Sequence, residues 1–151
     1  MVWEALGKEG ELKIAQRISA ENLYIGWGAL LMVWQRGLKD WLERWQPDVL
    51  IMEANPRNVS TNFAVRWMHS RHRPVIGWGL GAPAVGGPFS PFFARSRRGF
   101  LAQFDALVSY SRSGVEQYKT TGFPSARIFL APNAATPRPT HPPAPRPAAY
   151  R

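Results

Sequence analysis

The residues best able to meet a ligand lie in two stretches. Glu53-Ala54-Asn55-Pro56-Arg57 brings a carboxylate, a carboxamide and a guanidinium close together, and the stretch from Gly79 carries Gly79, Gly81, Gly86 and Gly87 with Pro83 and Pro88. The first stretch offers donors, acceptors and one permanent positive charge. The second, lacking Cβ atoms at its glycines, lets backbone N–H groups lie close to a ligand; its bland rival is a plain glycine-rich connection. This is chemistry of binding rather than of bond-making. The chain has no cysteine, and His69 and His72 are three apart on a basic stretch with His141 far along the chain, so no metal site is expected. No serine-histidine-acid set can be assembled from sequence, and the catalytic residues stay unassigned.

The elements that position these loops can be read from the apolar pattern. Val49-Leu50-Ile51-Met52, opened by Asp48, is too short for a helix and has no polar alternation, which suits a strand dry on both faces of a parallel sheet. Asn55-Pro56-Arg57-Asn58 is turn chemistry, and Asn58 or Ser60 can cap a helix carrying Phe63, Val65, Trp67 and Met68. Pro74 stops that helix after a basic end, and Val75-Ile76-Gly77-Trp78 starts the next strand through a right-handed crossover. Ser90-Pro91 opens a helix through Phe92, Phe93, Phe100, Leu101 and Phe104 with its arginines facing out. Asp105 to Tyr110 repeats the Asp-plus-apolar strand opening, Ser111 or Ser113 can cap a helix from Gly114 to Thr121, and Ala126 to Ala131 is the last strand. Ligands of an open parallel sheet bind beyond the carboxyl ends of its strands. That edge collects Glu53, Asn55, Arg57, Gly79, Gly81, Ser111, Arg112 and Asn133 as candidate binding residues. Each has a bland rival: turns for Asn55 and Asn133, a cap for Ser111, solvated charge for Arg57 and Arg112, and a structural arginine pair for Glu53.

Upstream, Met1 to Gly7 reads as the last turns of a helix, and Glu11 to Ile18 alternates polar and apolar residues as a strand does. The pattern implies an earlier strand and loop, so the first unit is expected to be incomplete. From Asn22 to Gln46 the apolar positions Leu23, Trp27, Leu30, Leu31, Trp34, Leu38, Trp41 and Trp45 predict one amphipathic helix, bent near Gly26, Gly28 or Gly37 and packed on the sheet. Its rival is a tryptophan-rich helix seated on a membrane surface. Residues 1–134 are expected to form one domain, and the proline-rich stretch 135–151 a linker or disordered tail. With 45% hydrophobic residues the 151-residue chain can bury a sizeable core. No stretch reaches the roughly 20 apolar residues of a membrane span. A cytoplasmic location is the expectation, with the inner face of the membrane as an option within it. The formal charge of +9 predicts attraction to something anionic without saying what.

Three segments resemble glycosyltransferase family 4, whose members have two Rossmann-like domains facing across a cleft (the GT-B fold). PDVLIMEANPRNVST is similar to the strand and loop of the polysaccharide-building members; VIGWGLG is similar to their Trp-Gly-His-Gly strand; DALVSYSRSGVEQYKTTGFPSARIFLAPNA is close to the run that ends the amino-terminal domain. The resemblance spans Pro47 to Ala134. It implies an α/β fold, a Rossmann-like open parallel sheet with helices on both faces, and transfer of a sugar from a nucleotide-sugar donor to a glycan or lipid-linked acceptor hydroxyl in cell-surface polysaccharide synthesis. This domain would hold the acceptor, and the donor diphosphate would be held by a carboxy-terminal domain in the same or another chain. The chain alone is then expected to be inactive. No cofactor is implied beyond the nucleotide sugar as co-substrate. Leu80 stands where the family often has histidine, which removes one side-chain hydrogen bond to the sugar and leaves the backbone amides from Gly79 to Ala82 to serve.

Two non-catalytic readings compete. A nucleic-acid-binding module would use the charge, but most aromatics sit at core spacing rather than among exposed arginines. A membrane-surface module would use the tryptophans, and peripheral membrane contact is also compatible with an enzyme acting on lipid-linked acceptors.

Overall fold

In the computed structural model, which describes residues 20–28, 31–83 and 90–132, the segment expected to be one amphipathic helix is instead divided. Strands β1 (Glu21–Ile25) and β2 (Met32–Arg36) form an antiparallel pair, and only α1 (Leu38–Trp45) is helical. The reason is local. Gly26, Gly28 and Gly37 hold φ angles of +87°, +57° and +85°, left-handed values that suit glycine and interrupt a right-handed helix. Tyr24, Ile25, Val33 and Trp34 are types that favour strands, and Gln35 N–H finds Ser60 Oγ at 2.7 Å. The helical spacing of the tryptophans is therefore shared among three elements. Leu42 is fully buried, Trp41 packs partly against the core, and Trp27 is 86% exposed.

Beyond α1 the chain alternates as expected. Strand β3 (Leu50–Glu53), helix α2 (Val59–His69), strand β4 (Val75–Gly79), helix α3 (Ser90–Leu101), strand β5 (Ala106–Ser109), helix α4 (Arg112–Thr120) and strand β6 (Ile128–Leu130) follow in turn. The four strands are parallel and lie in chain order, β3-β4-β5-β6. This is the Rossmann-like α/β arrangement. The register sets Leu50 beside Val75, and Gly77 beside Leu107, which pairs in turn with Ile128. By alternation these side chains share one face of the sheet. One buried cluster joins Leu50, Val75 and Leu107 to Val65 and Met68 of α2, Leu101 of α3, Phe104 and Tyr118 of α4. Burying each leucine or methionine contributes about 1.5–3 kcal/mol.

The buried cluster lies on one face of the sheet. On the opposite face Ile51 is 63% and Phe129 54% exposed, so β3 is not dry on both faces. The expected helix at 1–7, the strand at 11–18 and the tail at 135–151 lie outside the described residues. No described helix is long and apolar enough to cross a membrane.

A carboxylate ties the start of β4 to the end of α2. Asp105 Oδ2 accepts from Val75 N–H at 2.8 Å and meets His69 Nε2 at 3.0 Å. Burial raises the Asp105 pKa, but the Val75 amide, the His69 bond and charge, and Arg127 together outweigh it and hold it below its ordinary 3.8. A depressed folded pKa means stability present above the unfolded value and lost as pH falls through the folded one. The acid limb of a pH–stability profile should therefore flatten below about pH 4 in Asp105→Asn. An unchanged limb would remove Asp105 from the account. The effect is modest, since both side chains are nearly half exposed and solvent screens the pair.

Candidate functional site

The carboxyl ends of β3 and β4 are joined beyond the last strand residue. Ala54 N–H donates to Trp78 C=O at 2.8 Å, carrying the parallel pairing one step into the loop. The loop then turns on Asn55, whose Oδ1 accepts from Arg57 N–H at 3.1 Å and whose C=O accepts from Asn58 N–H at 3.0 Å. This is the side-chain turn to which asparagine is suited. Asn55 Nδ2 reaches Glu53 Oε1 at 3.5 Å, while Glu53 makes no ion pair among the described residues. Helix α2 starts at Asn58 without a side-chain cap bond. Ser60, the other expected cap, spends its hydroxyl on β2.

The glycines at the end of β4 are demanded by α4. A Cβ on Gly79 would lie 2.8 Å from the Tyr118 hydroxyl. Gly81 has φ +124° and would meet Gly114 Cα at 2.7 Å; a Cβ on Gly114 would meet Leu80 C=O at 2.1 Å. The first turn of α4 therefore lies directly against the backbone of residues 79–81. Ser111 fixes that turn by accepting from Gly114 N–H at 3.0 Å, the expected N-cap. Fully buried Ser109 donates from Oγ to Ser111 C=O at 3.2 Å.

Between these elements opens a cleft of about 510 Å³. It brings together Glu53, Asn55, Arg57, Gly79 and Gly81, five of the residues expected on the ligand edge. Ser111 and Arg112 do not line it; Ser111 caps α4 and Arg112 is exposed. Asn133 lies outside the described residues. Leu80 is on the rim, 71% exposed.

Three further lining residues stand apart from that set. Arg97 is half-buried and lines the cleft rather than facing outward with the rest of α3, its Nη1 donating to Pro83 C=O. Tyr110 follows β5 directly and packs edge-on against Trp78, with ring centroids 5.4 Å apart. Tyr118 is fully buried, and its hydroxyl has no hydrogen-bond partner among the described residues. Burial pushes its pKa up; the Gly81 N–H acts in the opposite sense but falls outside hydrogen-bond geometry, while Tyr110 and Glu53 add to the rise. Tyr110 carries a legible signal, its place immediately beyond an apolar strand. Arg97 and Tyr118 carry none, because helix spacing alone does not say which turn overhangs a cleft.

The arrangement can hold a polyhydroxylated ligand. A carboxylate accepts from hydroxyls, guanidinium groups and backbone amides donate, and an aromatic ring offers a flat apolar surface. Among the described residues no group of three or more His, Asp or Glu could hold a metal ion. Residues 15–134 match the family described as glycosyl transferase 4-like domain. No curated protein matches the chain.

Proposed function

The chain belongs to the glycosyl transferase 4-like domain family, and from that premise we propose that it is the acceptor-side domain of a glycosyltransferase. The observation that carries the reading is the cleft at the carboxyl ends of β3 and β4, in which Glu53, Asn55, Arg57 and the Gly79–Gly81 backbone converge. The reaction is transfer of a glycosyl group from a nucleotide sugar to an acceptor hydroxyl of a glycan or lipid-linked glycan, in cell-surface polysaccharide synthesis. Glu53 accepts from acceptor hydroxyls, and the backbone of residues 79–82 takes the place of the family histidine that Leu80 replaces. Stabilising the departing diphosphate is electrostatic work, assigned to a donor-binding domain in the same or another chain.

Calorimetric titration of Met1–Arg151 with nucleotide sugars and lipid-linked acceptors, with a short DNA duplex as the charge control, tests this. Acceptor binding without tight donor binding is expected. Salt-sensitive DNA binding with no response to any sugar ligand would overturn it in favour of a basic nucleic-acid-binding module. A membrane-surface role is favoured by Tyr24, Ile25 and Trp27, all exposed at the tip of the β1–β2 pair. Vesicle co-sedimentation in the same series, undiminished in Trp27→Ala, would exclude the tip from that role.

A further inference from the structure

Several of the described cationic side chains are engaged away from the cleft. Among the described residues Arg36 pairs with Glu21 at 3.1 Å, Lys119 with Glu116 at 2.7 Å and Lys39 with Glu43 at 3.7 Å. Arg71 lies 3.8 Å over the Trp67 ring and Arg127 5.3 Å over Phe123, while Arg73 donates to Gln46 Oε1 at 3.2 Å. Two further arginines lie at the cleft. Arg57 and Arg97 both line the cleft, approaching it from different elements, and among the described residues the only acidic one lining it is Glu53. The Arg57 side chain makes no hydrogen bond or ion pair among the described residues; only its backbone N–H is engaged. Arg97 is held by one Nη1 bond to Pro83 C=O, which fixes its direction; its other N–H donors have no partner among the described residues.

A neutral glycan needs no such pair. Guanidinium groups match phosphate oxygens with paired N–H donors, and two of them at one cleft more than offset a single carboxylate. Resting on the acceptor-side reading above, we infer that the acceptor carries a phosphate group seated between Arg57 and Arg97, with its hydroxyl-bearing part toward Glu53 and Tyr110. Arg97, fixed through Pro83, sets the direction of the phosphate; Arg57, free at its tip, closes on it. The phosphate can belong to a soluble sugar phosphate or to a lipid headgroup.

The experiment follows backbone amide shifts of the full chain by NMR, with Gly79 and Gly81 as reporters of the cleft. The probes are glucose 1-phosphate, methyl glucoside, and vesicles of phosphatidylcholine with or without phosphatidylglycerol. Glucose 1-phosphate is expected to move the reporters. Arg97→Gln and Arg57→Gln should each weaken it by about tenfold, a loss of about 1.4 kcal/mol, and Arg97→Lys should restore part of the affinity. Preserved dispersion of amides far from the cleft establishes that each variant folds. Reporter shifts with the anionic vesicles and not the neutral ones, lost in the same variants, would support the same chemistry with a lipid source. Methyl glucoside binding as tightly as the phosphate ester would overturn the phosphate and leave the acceptor reading standing. No reporter shift with any probe would overturn both. Phosphate binding that ignores Arg57→Gln and Arg97→Gln would also overturn the inference, reducing it to general surface charge.

Discussion

Gly114→Ala is expected to lose about 3 kcal/mol of stability, a large share of the roughly 5–15 kcal/mol that holds an ordinary domain folded. Two effects oppose each other. Alanine is the better helix former by about 1 kcal/mol, and Gly114 sits in the first turn of α4. Against this, its Cβ would stand 2.1 Å from Leu80 C=O and 2.2 Å from Ser109 Oγ. Neither neighbour is the free end of a flexible chain: one is backbone, the other a fully buried hydroxyl already bonded to Ser111. Either α4 or the 79–81 backbone must move, and the packing cost exceeds the propensity gain. A urea titration measures it through the midpoint at constant slope. A variant as stable as the parent would mean that α4 does not approach the strand end as described. Because the displaced atoms form one wall of the cleft, ligand response should fall with the midpoint.

The Gly79–Tyr118 pair comes next in size. Gly79→Ala alone should cost about 2 kcal/mol, since its Cβ would lie 2.8 Å from the phenol oxygen. Tyr118→Phe alone should gain about 1 kcal/mol, because the hydroxyl is buried with no partner among the described residues and that desolvation is uncompensated. Together the changes remove the collision along with its cause, so the double variant should return close to the parent. The cycle therefore predicts a coupling of about 1 kcal/mol. Additivity within about 0.5 kcal/mol would mean that the alanine methyl is accommodated elsewhere.

The parallel sheet was legible in advance because its signals are local. Asp48 and Asp105 each open an apolar run, prolines and glycines end the helices, and Ser111 caps where a serine before a helix should. The hairpin was not legible. Leu23, Trp27, Leu31, Trp34, Leu38 and Trp41 satisfy a helical period, and periodicity alone does not weigh three left-handed glycines against it. The burial of β3 was also misjudged: an apolar run tells how dry a strand can become, and the positions of other elements decide on which side. At the cleft, loop residues followed from the strand ends, whereas Arg97 and Tyr118 depend on how α3 and α4 lean over those ends. For α4 that tilt is set by Gly79, Gly81 and Gly114 packing against their neighbours, a relation across some thirty residues that no local pattern contains.

The sheet order β3-β4-β5-β6 has a consequence for how the chain reaches this structure. Each described parallel strand pairs with its neighbour in sequence, so no pairing waits on a segment made later, and each loop closed is only one helix long. A nascent chain can add each helix and strand to a finished neighbour as they emerge, in the order of synthesis. Assembly from one end keeps the growing strand edge exposed only until the next unit arrives, which shortens the interval in which another chain could pair with it.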